Sequence, residues 1–508
     1  MPDKPQSHFD RFLRPILASR FITISALIHL LLIFLVGGKV LFDRYVEPPD
    51  FQPTGDTSSI LTEADSSLPP PPSADATLPA APSNVAPPPP TASAALTAMT
   101  TLNPSQTSFS IPAPDIAPPT LSNDLSQKPA PTISNGPSVE LPSSMAGRGA
   151  GRAETGRNYG EEPQSEQTVM RALRYLQSQQ RTDGTWGSDQ YQRAFTGLAL
   201  LCYLGHGDTP GHSAEFSVVV TNAIDALLRV GTANGGHFCR SPDFSDHFFL
   251  WHPSAYEHGI ATYALCEAYT MTKDNRLVPL IKQAVGFIVS GQRSDGGWGY
   301  SYDTSPDGSG DPKSDTSVGG WQIQALKAAH MTGIPGMDDQ VQPILAKSMK
   351  WLDHVFNDKD GTFGYRRAED RDYTLTGVGV LAKLFWLGRP DRTVQKGIGN
   401  IRSKNLNYDG PDCSLYSWYY DTQACYQAQG VAWEWWNGRF QNILTSKQSA
   451  DGSWPVTGGN DIGDFTKQGT GDGALYRTAL CTLMLEVYYR YLPTTESDAL
   501  GGASVNGL

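Results

Sequence analysis

The sequence predicts an all-α body made of about six helical hairpins, and three observations predict it. The first is a phrase that recurs as Gln180-Arg-Thr-Asp183-Gly184-Thr-Trp186, Gln292-Arg-Ser-Asp295-Gly296-Gly-Trp298 and Gln448-Ser-Ala-Asp451-Gly452-Ser-Trp454. The second is its spacing: the glutamines at 180, 292 and 448 lie 112 and 156 residues apart, close to two and three units of about 50 to 56 residues. Weaker copies fill the gaps, at Asn234-Gly235-Gly236-His237-Phe238, Asp360-Gly361-Thr362-Phe363-Gly364 and Tyr408-Asp409-Gly410. The third is periodicity. Apolar residues at helical spacing precede the turns, as in Val169, Leu173 and Leu176, or Ile281, Val285 and Ile288, and a second apolar helix follows each. A fixed period of this size marks units that bury their apolar faces against one another.

Each element has a local cause. Asp-Gly is a tight-turn signal, because Gly accepts positive φ and Asp bonds to its own backbone. The Gln therefore ends an outer helix, Asp-Gly turns the chain, and the Trp pins the turn to the body. The helices expected after the turns run Ala194 to Tyr203, Gly259 to Thr270, Trp321 to Ala329, Leu375 to Leu387 and Ala474 to Tyr491.

The three phrases resemble the QW repeats of the squalene and oxidosqualene cyclases, whose fold, shared with the β subunits of protein prenyltransferases, is an α/α toroid of inner and outer helices. The likeness covers about residues 165 to 493. Tyr256-Glu-His258-Gly-Ile-Ala-Thr262, Asp315-Thr-Ser-Val-Gly-Gly-Trp321-Gln322, Trp418-Tyr-Tyr-Asp-Thr422-Gln423 and Leu485-Glu-Val-Tyr-Tyr-Arg-Tyr-Leu-Pro493 further resemble a group of bacterial membrane-anchored cyclase-like proteins. The resemblance implies a toroid over residues 158–493, with a flexible tail at 494–508.

The amino-terminal third is of another kind. Phe21 to Phe42 is an apolar stretch of 22 residues, about 33 Å as a helix and enough to cross a bilayer core of roughly 30 Å. Arg11, Arg14 and Arg20 precede it, whereas Asp43, Glu47 and Asp50 follow, which puts residues 1–20 in the cytoplasm and the remainder in the periplasm. The expectation is an uncleaved single-pass anchor in a bacterial inner membrane. Ser25 and His29 share a helix face inside it, and this spacing is similar to that of TonB-type energy transducers, which implies a proton-driven motor as partner. Residues 47 to 145 hold 22 of the 38 prolines and no Trp or Tyr, so residues 43–157 read as a disordered, proline-rich linker.

The net charge of -12 and the lack of basic runs interleaved with aromatics exclude a nucleic-acid partner. The cyclases protonate an alkene with the middle carboxyl of D-x-D-D-T-A; here the matching stretch reads Lys313-Ser314-Asp315-Thr316, so Asp315 and Thr316 match and Ser314 stands at the proton-donating position. Asp338-Asp339-Gln-Val-Gln is not the D-D-x-x-D that holds magnesium diphosphate. The zinc site of the prenyltransferases is also not carried over, since Asp412-Cys413 lacks its spacing and the last histidine is His354. No metal and no cofactor are expected.

The candidate catalytic residues are His258, which opens an inner helix, and Asp315. The candidate ligand-binding residues are Trp321, Gln322, Trp418, Tyr419, Thr422 and Gln423, which would line a central cavity fit for an apolar lipid or a saccharide. The leading expectation is a membrane-anchored binding or scaffold module that has lost acid-initiated cyclase chemistry. Alternatives are an enzyme acting on an isoprenoid lipid, and a saccharide-active enzyme, because α/α toroids host both.

Overall fold

The computed structural model describes residues 139–189, 191–238, 254–302, 314–370, 373–389, 391–411, 413–456 and 472–493. Outer and inner helices alternate along the chain. The outer helices are α2 (Pro163–Gln179), α4 (Ser217–Ala233), α6 (Leu277–Ser290), α8 (Met337–His354), α10 (Arg392–Ile401) and α12 (Gly430–Lys447). The inner helices are α3 (Gln192–His206), α5 (Ser254–Thr272), α7 (Thr316–Met331), α9 (Thr376–Leu387), α11 (Leu415–Ala428) and α13 (Asp472–Leu485). A short helix, α1 (Arg152–Asn158), precedes them and another, α14 (Val487–Arg490), follows; a two-residue hairpin, Phe356–Asn357 with Thr362–Phe363, joins α8 to α9.

The inner helices pack in sequence, α3 on α5, α5 on α7, α7 on α9, α9 on α11 and α11 on α13, and α13 packs back on α3. That last contact makes the array a closed α/α toroid rather than an open solenoid. Burial separates the two layers. Outer helix α2 buries only Ser165, Thr168, Val169, Ala172, Leu173 and Leu176, one face at helical spacing. In α7 every residue from Thr316 to Ala329 is buried, as expected of a helix enclosed on all sides.

The three recurrent turns are built alike. Gly184, Gly296 and Gly452 sit at φ of +87°, +96° and +92°, where a side chain would be strained. Asp183, Asp295 and Asp451 each accept the N–H two residues on, from Thr185, Gly297 and Ser453. The indole N–H of Trp186, Trp298 and Trp454 donates to a carbonyl ten residues back, that of Leu176, Ile288 and Leu444. The glutamine amides do more than end a helix. Gln180, Gln292 and Gln448 each donate to the glycine carbonyl of their own turn and to a neighbouring outer helix, at Val219, Ile344 and Thr168. Gln448 thereby ties the last turn to the first outer helix.

The linker boundary at residue 157 is corrected. Residues 139–157, read as linker from their prolines and glycines, form two single 3-10 turns and α1. Met145 and Arg148 are wholly buried, because Arg148 carries a guanidinium into the ring that the composition of its neighbours conceals. Among the described residues no helix is long and apolar enough to cross a membrane. The anchor at 21–42 with Ser25 and His29, the linker up to residue 138 and the tail at 494–508 lie outside the described residues.

Candidate functional site

Two clusters of chemically able residues occupy opposite ends of the inner helices. Where inner helix α7 begins, Asp315 is its N-cap: Oδ1 accepts the Val318 N–H at 2.9 Å and the Ser317 hydroxyl at 2.5 Å, while its own N–H is held by the Trp298 carbonyl at 2.9 Å. The Tyr365 side chain is a further hydrogen-bonding neighbour of this carboxyl. Burial holds this carboxyl above the ordinary aspartate range, against the pull of the Ser317 and Val318 hydrogen bonds. Tyrosines surround it. Tyr256 shares a hydrogen bond with Ser317, Tyr416 donates to the Ser317 carbonyl at 2.9 Å, and the hydroxyls of Tyr300 and Tyr365 meet at 2.7 Å. Ser314 does not join the cluster; its hydroxyl donates to Asp295 at 2.8 Å, within the turn.

His258 does not stand ready as an acid or base. Its Nδ1 accepts the Phe238 N–H at 3.2 Å, which leaves the proton on Nε2, and Nε2 donates to the Ala284 carbonyl at 2.8 Å. Both ring nitrogens are therefore taken up, Nε2 in joining α5 to α6 and Nδ1 in joining α5 to the segment after α4. Burial, with His237 stacked at 4.8 Å, lowers its pKa to about 3. His237 is lowered by burial to about 4. Residues 239–253, which include Cys239, His247 and His252, lie outside the described residues.

The expected ligand-binding residues divide. Trp321 stacks on Tyr419 with ring centroids 5.5 Å apart, and Gln423 receives a hydrogen bond from Gln324 at 3.4 Å, so these three face the middle of the ring. Gln322 instead bridges α7 to α5, donating to the Ala255 carbonyl at 2.8 Å and accepting from Tyr302 at 2.7 Å. Thr422 points outward, where its oxygen accepts the Trp436 indole N–H at 2.9 Å, and Trp418 lies one turn earlier on the same face of α11. A helix buried all round has no sequence pattern that says which face is which.

The second cluster, at the C-terminal ends of the inner helices, is one the sequence reading missed. Arg148 donates to Glu267 at 2.7 Å, to the Leu204 carbonyl at 3.2 Å and to the Arg490 carbonyl at 2.8 Å. Arg490 donates to the hydroxyls of Tyr263 at 2.8 Å and Tyr419 at 3.3 Å, and the Tyr491 hydroxyl donates to Glu267 at 2.5 Å. The Lys327 amine lies 3.2 Å from the centroid of Phe385 and 4.1 Å from that of Tyr491. Burial pushes the Glu267 carboxyl up, but Arg148 and Arg490 outweigh it and hold the group ionised, below the ordinary glutamate range. The available signal was a single charge inside an apolar run, Leu265-Cys266-Glu267-Ala268 and Leu326-Lys327-Ala328. The five described cysteines, Cys202, Cys266, Cys413, Cys425 and Cys481, are buried, and no group of His, Cys, Asp and Glu able to hold a metal occurs among the described residues.

No protein-family model and no characterised protein sequence matches the chain. Solved structures are similar to it in fold. The type II terpene cyclase MstE from Scytonema is 13% identical, with a TM-score of 0.42 over 64% of this chain and 98% of that one. The GH76A alpha-1,6-mannanase from Salegentibacter sp. HEL1_6 is 11% identical, with a TM-score of 0.45 over 64% of this chain and 98% of that one. A GH76 alpha-mannanase from Bacteroides thetaiotaomicron is 13% identical, with a TM-score of 0.43 over 66% and 98%.

Proposed function

We propose that the chain is a ligand-binding module of the bacterial envelope, built on a cyclase-like toroid that does not start carbocation chemistry by protonating an alkene. The observation that carries this reading is the environment of Asp315. Alkene protonation needs an unusually strong, positioned acid, and here burial makes this carboxyl a weaker one. The neighbour at the proton-donating position is Ser314, bonded away into the turn. The ligand surface in this reading is the tyrosine cluster around Asp315, whose rings and hydroxyls suit an apolar lipid or a sugar. The anchor at 21–42, the linker and a motor contact through Ser25 and His29 belong to the same proposal, and co-purification of a motor with the wild type but not with His29→Ala tests that contact.

The test of binding uses the full-length protein in lipid nanodiscs, titrated with squalene, a polyprenyl lipid and a manno-oligosaccharide, with tyrosine and tryptophan fluorescence as readout and mass spectrometry of the recovered ligand. Saturable binding with unchanged ligand is expected. Cyclised product, or no binding of any of the three, overturns the reading.

One observation favours a second reading, an enzyme acting on an isoprenoid lipid. Burial makes the Asp315 carboxyl hold a proton more tightly than an ordinary aspartate, with the Tyr365 side chain beside it as a hydrogen-bonding neighbour, as a weak general acid would be arranged. Asp315→Asn preserves the N-cap, so a loss of turnover without a loss of folding would establish that role.

A further inference from the structure

Arg148, Lys327 and Arg490 are buried at 0%, 6% and 2% exposure, together with Glu267 at 0%. A second carboxyl lies near, Glu486, one turn before Arg490. It is wholly buried and neither of its oxygens has a hydrogen-bond partner among the described residues, and burial pushes its pKa up against the pull of Arg490 and Arg148. Burial works against the charge of Lys327 and of Glu486 alike, pushing the first pKa well below the lysine range and the second well above the glutamate range; with both ionised or both neutral, one cation is left in excess in a desolvated interior, where an uncompensated charge is strongly unfavourable.

Part of the compensation is local. The inner helices end here, their last carbonyls carry partial negative charge, and Arg148 takes up that of Leu204. Arg490 Nε and Arg148 Nη2 nevertheless reach no acceptor among the described residues. The Lys327 amine lies over the faces of Phe385 and Tyr491.

A cavity adjoins these groups. Arg490, Tyr491, Phe385 and Gln423 are among its walls, which leave room for a guest of only about one water's size. Arg490 supplies an unpaired N–H, and the two rings that hold the Lys327 amine both border the space. We propose that this cavity is a binding site for one small inorganic anion of halide size, which offsets the surplus of buried cations. A carboxylate or phosphate ester is too large for it, so the site is separate from any surface that takes a lipid or a sugar.

The test compares the full-length protein in sodium chloride and in sodium gluconate at equal ionic strength. With chloride about tenfold above its dissociation constant, Tm is expected to rise by about 2 °C over gluconate, and the chlorine-35 resonance to broaden saturably. Lys327→Met keeps the packing between the rings and removes the amine that a bound anion would hold protonated; it is expected to weaken chloride binding at least about tenfold while unfolding cooperatively. Gln423→Leu, which alters a wall without touching charge, checks the location and is expected to weaken binding as well. Equal Tm in the two salts with no chlorine-35 broadening would mean that water fills the cavity, and would overturn the proposal. Chloride affinity unchanged in both variants, or acetate competing as well as bromide, would overturn it too.

Discussion

At the end of the ring where outer helices pass into inner ones, closure is achieved three times by the same set of hydrogen bonds from single side chains to the backbone. A glutamine amide, an aspartate oxygen and an indole N–H each satisfy backbone groups of a glycine turn and its neighbour. At the opposite end closure is achieved once, by charged groups brought from residues 148, 267 and 490. The first arrangement spreads its contribution over separate turns, so the loss of one leaves the others intact. The second concentrates it in a network whose members leave a buried charge behind when any one is removed. Two ends of one fold thus differ in how failure would spread.

The largest effect that would sharpen this contrast is at Arg148. Arg148→Met is expected to destabilise the folded chain by about 3–5 kcal/mol, because Glu267 is left buried without its main partner. Adding Glu267→Gln in the same chain is expected to recover more than half of that in urea titrations. Recovery of none would break the comparison, since the penalty would then be packing and not charge. At the other end, Gln292→Leu strips a hydrogen bond from the Gly296 and Ile344 carbonyls and is expected to destabilise by about 1–3 kcal/mol, with no rescue by any charge-neutralising partner. The same measurement on Gln180→Leu and Gln448→Leu should give similar values if the three turns act independently.

Acid acts on the wall between the two ends. The pKa of His258 is lowered to about 3 in the folded chain, against an ordinary value near 6.5. Below that ordinary value the unfolded chain takes up a proton that the folded imidazole refuses, so the stability linked to His258 is complete above pH 6.5 and declines as pH falls toward about 3. The slope is about 1.4 kcal/mol per pH unit for one such group. His258→Gln is therefore expected to show a shallower pH dependence than the wild type by about that amount between pH 6 and 4, and the wild-type ring signals should not titrate in NMR spectra over the same interval. The smallest effect has the opposite sign. Gly319 lies inside α7, and a Cβ there would meet nothing within 4 Å; Gly319→Ala is expected to stabilise by about 0.5–1 kcal/mol, read as a higher urea midpoint.

What could be read from the sequence follows the same division. The turns repeat, so Gln180, Gln292 and Gln448 with their Asp and Trp partners stood out, and the alternation of one-faced and fully apolar helices placed the two layers. The second partner of each glutamine, a carbonyl between about 40 and 280 residues away, carries no side-chain signature. The charged cluster was hidden for a related reason: Arg148, Glu267, Lys327 and Arg490 meet only after the ring has closed, and Arg148 sits in a glycine-rich stretch that looks like linker. His258 misled because an imidazole at the start of an apolar helix looks the same whether its nitrogens are free or engaged. Trp418 and Thr422 misled because α11 is buried on every side, so an outward residue and an inward one are equally apolar in their neighbours.

The two terminal segments of the toroid clasp one another, through Arg148 on the Arg490 carbonyl at 2.8 Å and the Leu492 N–H on the Ser144 carbonyl at 2.7 Å. A tensile load applied between residues 139 and 493 would therefore be borne by that clasp first. The six hairpins behind it would stay slack until it sheared, which makes the clasp a mechanical fuse for the whole ring.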